Sequence, residues 1–246
     1  DNNRGTFLQP FLTIDAAYNA CKAGRGDRIY VRPGHTLSIA NATTLVMDVS
    51  CVQIVGMGIG ELRPTITFAT ATTASIPVSG ANNLIANMIF KCNIASQDQM
   101  LDLTADALMV VGCEFREGTG TGVSFINADG SDADADRLKI IGCKFYAPTA
   151  GNMDNAIALA KDFTNVELID NYIYGDFNTA GISVPAGGNA QVNLQIRGGE
   201  VTNLLTNVGA IVINGTGSSG SISNVLVKTD TKASSYDNGS LATDNV

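Results

Sequence analysis

The chain has 246 residues, 45% of them apolar, with 26 glycines, 6 prolines and no tryptophan. Rich also in Asn, Thr, Ser and Asp, this composition favours short strands and frequent turns over helices. A net charge of −8 speaks against the basic face that nucleic acid or an anionic membrane requires, and no apolar run approaches the roughly 20 residues needed to cross a bilayer. No stretch has the pattern of a secretory leader. The 5 cysteines (Cys21, Cys51, Cys92, Cys113 and Cys143) are an odd number without a CxxC pair. They argue against zinc and against a disulfide framework, and predict reduced thiols packed as small hydrophobes.

The first predicted element is a short helix in PFLTIDAAYNACKAGRGD. Thr13 is a suitable N-cap, Ile14, Ala17, Tyr18 and Cys21 fall on one face, and Gly24 ends the helix. A strand with alternating apolar residues follows at 28–35 (RIYVRPGH) and closes in a Pro-Gly turn. From there the chain repeats itself. VQIVGMGI (52–59), NLIANMIF (83–90), LMVVGCEF (108–115), LKIIGCKF (138–145), VELIDNYI (166–173), LQIRGGEV (194–201) and GSISNVLV (220–227) share one template, spaced 28 residues apart on average.

The columns of this template carry the physics. The third (Ile54, Ile85, Val110, Ile140, Leu168, Ile196, Ile222) and the last (Ile59, Phe90, Phe115, Phe145, Ile173, Val201, Val227) are apolar throughout. The fifth holds Gly56, Asn87, Gly112, Gly142, Asp170, Gly198 and Asn224, the residue types that reach positive φ cheaply. A left-handed bend between two inward-facing strands is therefore predicted once per period. A further strand precedes each segment, marked by Leu45/Met47, Ile76/Val78, Leu101/Leu103, Val123/Phe125, Ile157/Leu159, Ile182/Val184 and Ile211/Ile213. Surplus length falls in polar loops at 67–75, 127–137 and 185–191. The period with its several short strands excludes helical repeats and fits propeller blades poorly, and the LxxLxLxxN pattern of leucine-rich repeats is missing, leaving an all-β parallel β-helix of about seven to eight coils, roughly 35–40 Å long at about 4.8 Å per coil. Residues 1–30 would form the N-terminal segment and capping helix and 31–227 the solenoid. A polar tail at 228–246 would be either a strap for a partner or partly disordered.

The opening TIxxAxxxC…GDxIxVxPG, here Thr13, Ile14, Ala17, Cys21, Gly26, Asp27, Ile29, Val31, Pro33 and Gly34, resembles the right-handed parallel β-helix proteins of the pectin-lyase-like group. That resemblance spans residues 10–227 and implies the fold. The group includes polysaccharide lyases, glycosidases, phage tailspikes and virion spikes or decorations. Its glycosidases use clustered aspartates with a His and an Arg-x-Lys, and its lyases use calcium-binding acids beside a basic residue. Here the single histidine, His35, stands in a turn, and Arg197 beside Glu200 has no acidic cluster in the preceding coil, so no catalytic residue is assigned.

Other residues have two readings each. Lys139/Glu167 and Glu114/Lys144 are expected as ion pairs between adjacent coils. Asp129, Asp132, Asp134 and Asp136 form either a solvated acidic loop or a calcium site. Tyr146, Tyr172, Tyr174 and Asp176 make either a glycan contact or a cover for the core edge. A polysaccharide-cleaving tailspike-like protein would draw its acids from Asp162, Glu167, Asp170 or Asp176. Cys113 and Cys143 should stack within disulfide reach, reduced if the protein assembles in cytoplasm. Finally, Val55, Ala86, Val111, Ile141 and Ile169, widened by Leu84 and Met109, form an outward apolar stripe covered either by the protein's own loops or by another subunit. These features, with the resemblance, lead to the expectation of a non-enzymatic phage virion protein. It would be a homotrimeric capsid decoration (cement) protein or short spike, assembled in the host cytoplasm and binding a capsid or other virion protein. A tailspike-like protein that recognises or cleaves host surface glycan is the alternative.

Overall fold

The computed structural model describes residues 5–119, 122–129, 135–149, 153–187, 189–230, 236–237 and 242–244. Its three long sheets have 9, 8 and 7 strands, and all the strand pairs are parallel. Each coil runs through them in turn. Gln53–Gly56, Thr65–Phe68 and Ile76–Val78 lie in sheets I, II and III respectively, and Leu84–Ala86, Ile89–Cys92 and Gln97–Leu103 stack on them. Among the described residues seven coils place a strand in every sheet. An earlier coil has Arg28–Val31 and Thr36–Ile39, then touches sheet III only through the Met47–Val78 bridge. The protein is thus a parallel β-helix. Leu226–Thr229 completes sheet II, and short strands at Tyr236–Asp237 and Ala242–Asp244 extend sheets III and I.

The left-handed corner between sheets I and II is present in six of its seven positions: Asn87, Gly112, Gly142, Asp170, Gly198 and Asn224 all have φ between 51° and 64°. Gly56 is the exception, because coil 2 does not turn there. An insertion containing the 3₁₀ turn Gly60–Leu62 delays its sheet II strand to Thr65–Phe68. Ile66, not Ile59, is therefore the register partner of Phe90, and Ile59 is 84% exposed. The apolar Ile59 imitates a core residue in sequence but sits on the rim of the insertion. Sheet III carries a second correction. Ile126 and Ala128, rather than Val123 and Phe125, align with Leu101 and Leu103. Phe125 instead fills the interior beside Phe115 and Phe145, and Val123 is exposed.

A second left-handed column stands ahead of sheet I: Cys51, Asn82, Ala107, Arg137, Asn165 and Asn193, with φ of 56–65°. Its amides continue the inter-coil ladder through the turn, as in Asn82 N–H to Asp106 O at 2.9 Å and Arg137 N–H to Thr164 O at 2.8 Å. Backbone pairing thus offsets the strain of φ > 0 in residues such as Ala107 and Arg137.

The helix Ile14–Asn19 closes the N-terminal end. Thr13 Oγ1 accepts from the Ala16 amide, and Ile14 lines the same interior space as Leu45, Met47 and Ile54. Tyr18 is fully buried; its hydroxyl donates to Val49 O at 2.6 Å and accepts from Asn83 Nδ2 at 3.0 Å. Burial pushes this phenol up to about 12. Asn83 Oδ1 in turn accepts from the Val52 amide at 2.8 Å, so one buried asparagine ties the cap to two coils.

Candidate functional site

The predicted apolar stripe lies on the outer face of sheet I. Strand register lines up Val55, Ala86, Val111, Ile141 and Ile169 rung upon rung. Leu84 and Met109 stand beside them as neighbours in the parallel column. The first coil adds Tyr30, paired with Val55 and 58% exposed, which the repeat template did not reach. The line is therefore six rungs long before Arg197 and Ser223 end it. Alternation explains the geometry: Ile54, Ile85, Val110, Ile140 and Leu168 point inward, so their neighbours point out. Apart from exposed Tyr30 and Met109, these side chains are half-buried, and none is fully covered. Alongside, Lys139 Nζ meets Glu167 at 2.6 Å as expected, and Arg197 joins the same carboxylate at 3.4 Å.

Sheet II presents a polar, aromatic face. Tyr146 and Tyr174 are register partners with nearly parallel rings, centroids 5.6 Å apart, and Tyr172 is exposed next to Lys144 in the neighbouring column. Asp176 follows at the corner and is felt by Glu117, whose carboxyl is raised by burial first and then by Asp176, against hydrogen bonds from Thr149. Glu117 escaped sequence reasoning because it stands outside the template. Among the other candidate acids, Asp170 is an exposed corner residue, Glu167 is ion-paired, and Asp162 accepts from the Ala190 amide.

The coil-2 insertion creates a feature with no sequence signal. It carries Glu61 and Arg63 over coil 4, where Arg63 binds Glu114, and Arg116 binds both Glu114 and Glu61, the latter at 2.6 Å. Burial works to raise the Glu114 carboxyl, but the two arginines outweigh it and hold it low. Glu114 pairs with Arg63 from the insertion and with Arg116 two residues along its own strand, in place of the expected pair with its register neighbour Lys144. The cleft beneath has a volume of about 380 Å³, and its lining includes Gly112, Cys113, Gly142 and Lys144.

Of the acidic loop, Asp132 and Asp134 lie outside the described residues. Asp136 Oδ1 accepts from the Thr164 amide at 2.6 Å, and Asp129 accepts from Asn127 Nδ2 at 2.8 Å. Asp129 also faces Asp102 of sheet III, whose carboxyl is pushed up to about 6 by burial first and by Asp129 second. Since this folded value exceeds the unfolded one of about 4, the native state holds the proton more tightly. The stability this contributes is complete below pH about 4 and is lost as pH rises through about 6. Asp102→Asn is expected to stabilise the protein by on the order of 1 kcal/mol at pH 7 and to leave it unchanged below pH 4, as read by urea denaturation at both pH values.

Neither a family model nor a curated protein matches this chain. Among solved structures, a rhamnogalacturonan lyase superposes on 93% of the chain and 70% of its own length, with a TM-score of 0.51 and 14% sequence identity. That likeness shows the fold alone, a parallel β-helix.

Proposed function

We propose that the chain is a non-enzymatic virion protein of a bacteriophage, a capsid decoration protein or short spike, that forms homotrimers through the outer face of sheet I. The observation that carries this is the unbroken apolar line from Tyr30 to Ile169. A stripe six rungs long on an acidic molecule is the kind of surface that monomers rarely leave uncovered. Like copies set side by side would bury it along its whole length, and rotation about an axis parallel to the solenoid closes such an assembly. The proposed partner at the ends is a capsid or other virion protein, and the proposed location is the virion.

Light scattering at micromolar concentration is expected to give a three-chain mass. Val111→Asp with Ile141→Asp should give a single-chain mass with β-structure retained and a lower melting temperature, because both side chains are half-buried and the two new carboxylates would face each other on adjacent rungs. A single-chain mass for the unaltered protein would overturn the assembly. Absence of the chain from purified phage particles of its source would overturn the virion assignment.

A second reading, a tailspike-like glycan-binding or glycan-cleaving protein, is favoured by the Tyr146–Tyr174 stack with Tyr172, Asp176 and Glu117 nearby. A fall in the viscosity of host polysaccharide on adding the protein would select it over the first.

A further inference from the structure

The cleft under the coil-2 insertion is lined by three cations, Arg63, Arg116 and Lys144, and two carboxylates, Glu61 and Glu114. The two carboxylates are not equivalent. Glu114 is fixed: it takes Arg63 and the Nε of Arg116, and its side chain is only 16% exposed. Glu61 is held less firmly. From the insertion it meets Nη1 and Nη2 of Arg116 at 3.0 and 2.6 Å, with its side chain 77% exposed. An exposed ion pair of this kind contributes little to stability, so Glu61 can swing into water at small cost. Arg116 would keep its orientation, because Glu114 still holds its third nitrogen. The open fork is the planar two-donor arrangement that matches an oxyanion.

Lys144 stands one coil beyond Glu114 in sheet II and lines the same cleft. Its side chain is exposed and has no hydrogen bond or ion pair among the described residues. The floor is bare, since a Cβ on Gly112 or Gly142 would meet nothing within 4 Å. Exposed Ile59 adds an apolar rim. Cys113 in the wall, like Cys143 of the next coil, is a buried free thiol facing backbone carbonyls, so the ligand's partners are the charged side chains. The volume of about 380 Å³ lies within the roughly 300–1,000 Å³ of sites for small organic ligands.

Charge decides the class of ligand. With Glu61 in place the lining has one positive charge in excess, and with Glu61 displaced it has two. A carboxylate or a sulfate ester would leave one of these unbalanced. A phosphate monoester, close to doubly charged at neutral pH, balances both. We infer that the cleft binds a phosphate monoester of a small organic molecule. The phosphate displaces Glu61 from Arg116 and is held by Arg116 and Lys144, with Ile59 against the organic group. Glu61 is the site's internal competitor, and the site needs no second copy of the chain.

Calorimetric titration of the full chain with methyl phosphate at about pH 7.5, where the monoester is mostly a dianion, should give one saturable site per chain. Methyl sulfate and acetate should bind at least about tenfold more weakly. Lys144→Gln should weaken methyl phosphate binding by at least about tenfold. Arg116→Lys, which keeps the charge but not the fork, should do the same. Glu61→Gln should act in the opposite direction and tighten binding about fivefold, because no carboxylate has to be displaced. Should Arg116→Lys fail to fold, the two replacements of exposed side chains decide. No saturable binding to the parent or to Glu61→Gln, equal affinity for the three anions, indifference to Lys144→Gln, or weaker binding by Glu61→Gln would each overturn the site.

Discussion

Phe115→Ala is expected to cost about 3–5 kcal/mol, among the largest losses available to a single truncation in this protein. Phe90, Phe115 and Phe145 are fully buried register partners whose rings stack at 4.7 and 4.8 Å, within 9° and 6° of parallel. Phe125 leans on both Phe115 and Phe145 at 6.1 Å. Removing the central ring therefore withdraws three aromatic contacts and leaves a cavity that the flanking coils, pinned by their ladders, cannot collapse. A solenoid is stabilised by nearest-neighbour interfaces, so the loss should also divide urea unfolding into two transitions. Ile173→Val, in the same column two coils from Phe115, should cost only about 0.5–1.5 kcal/mol. Equal losses at the two positions would show that the stack is not special.

Gly56→Ala should be the more severe of two glycine replacements that resemble each other in sequence. A Cβ on Gly56 would stand 2.3 Å from the Asn87 carbonyl oxygen and 2.8 Å from Met88 Sδ. Asn87 cannot retreat, since its side chain donates to Gly56 O at 2.8 Å and Gly58 O at 3.0 Å. Overpacking costs about 1–3 kcal/mol and occasionally more, and a contact this close to backbone puts Gly56→Ala at or beyond the upper end, with failure to fold as the extreme. Gly112→Ala meets open space and bears only the left-handed backbone, φ 59°, worth about 1–2 kcal/mol. Urea midpoints of the two variants give the order; a less stable Gly112→Ala would refute this account.

These two glycines also mark where the fold could and could not be read from residues. The left-handed corner was legible at Gly112, Asn87 and Asp170 because only a few side chains tolerate it, and period-2 alternation placed the inward columns. The companion corner was legible only in part: Asn82, Asn165 and Asn193 carry the same signal, but Cys51, Ala107 and Arg137 break the column, their backbone strain being met by hydrogen bonds that leave no trace in side-chain type. Gly56 was assigned to the right column for the wrong reason, with close approach standing in for positive φ. Ile59 and Val123 failed for a different cause: an apolar residue on a rim has the same letter as one in the core. The apolar stripe was legible because strict alternation determines the outward side. The Arg63–Glu114–Arg116 cluster was not, since it joins coils that are 51 residues apart through an insertion that obeys no period.

The parallel ladders carry one more implication. Strand partners sit a single coil apart whether they lie near the helix or near Leu226–Thr229. The interior therefore extends coil by coil along one axis, unlike a globular core whose volume limits its growth. Such a molecule lengthens in steps of about 4.8 Å. Its reach from one end to the other is set by how many times the chain goes round, and whole coils, not single residues, are the unit by which that reach can change.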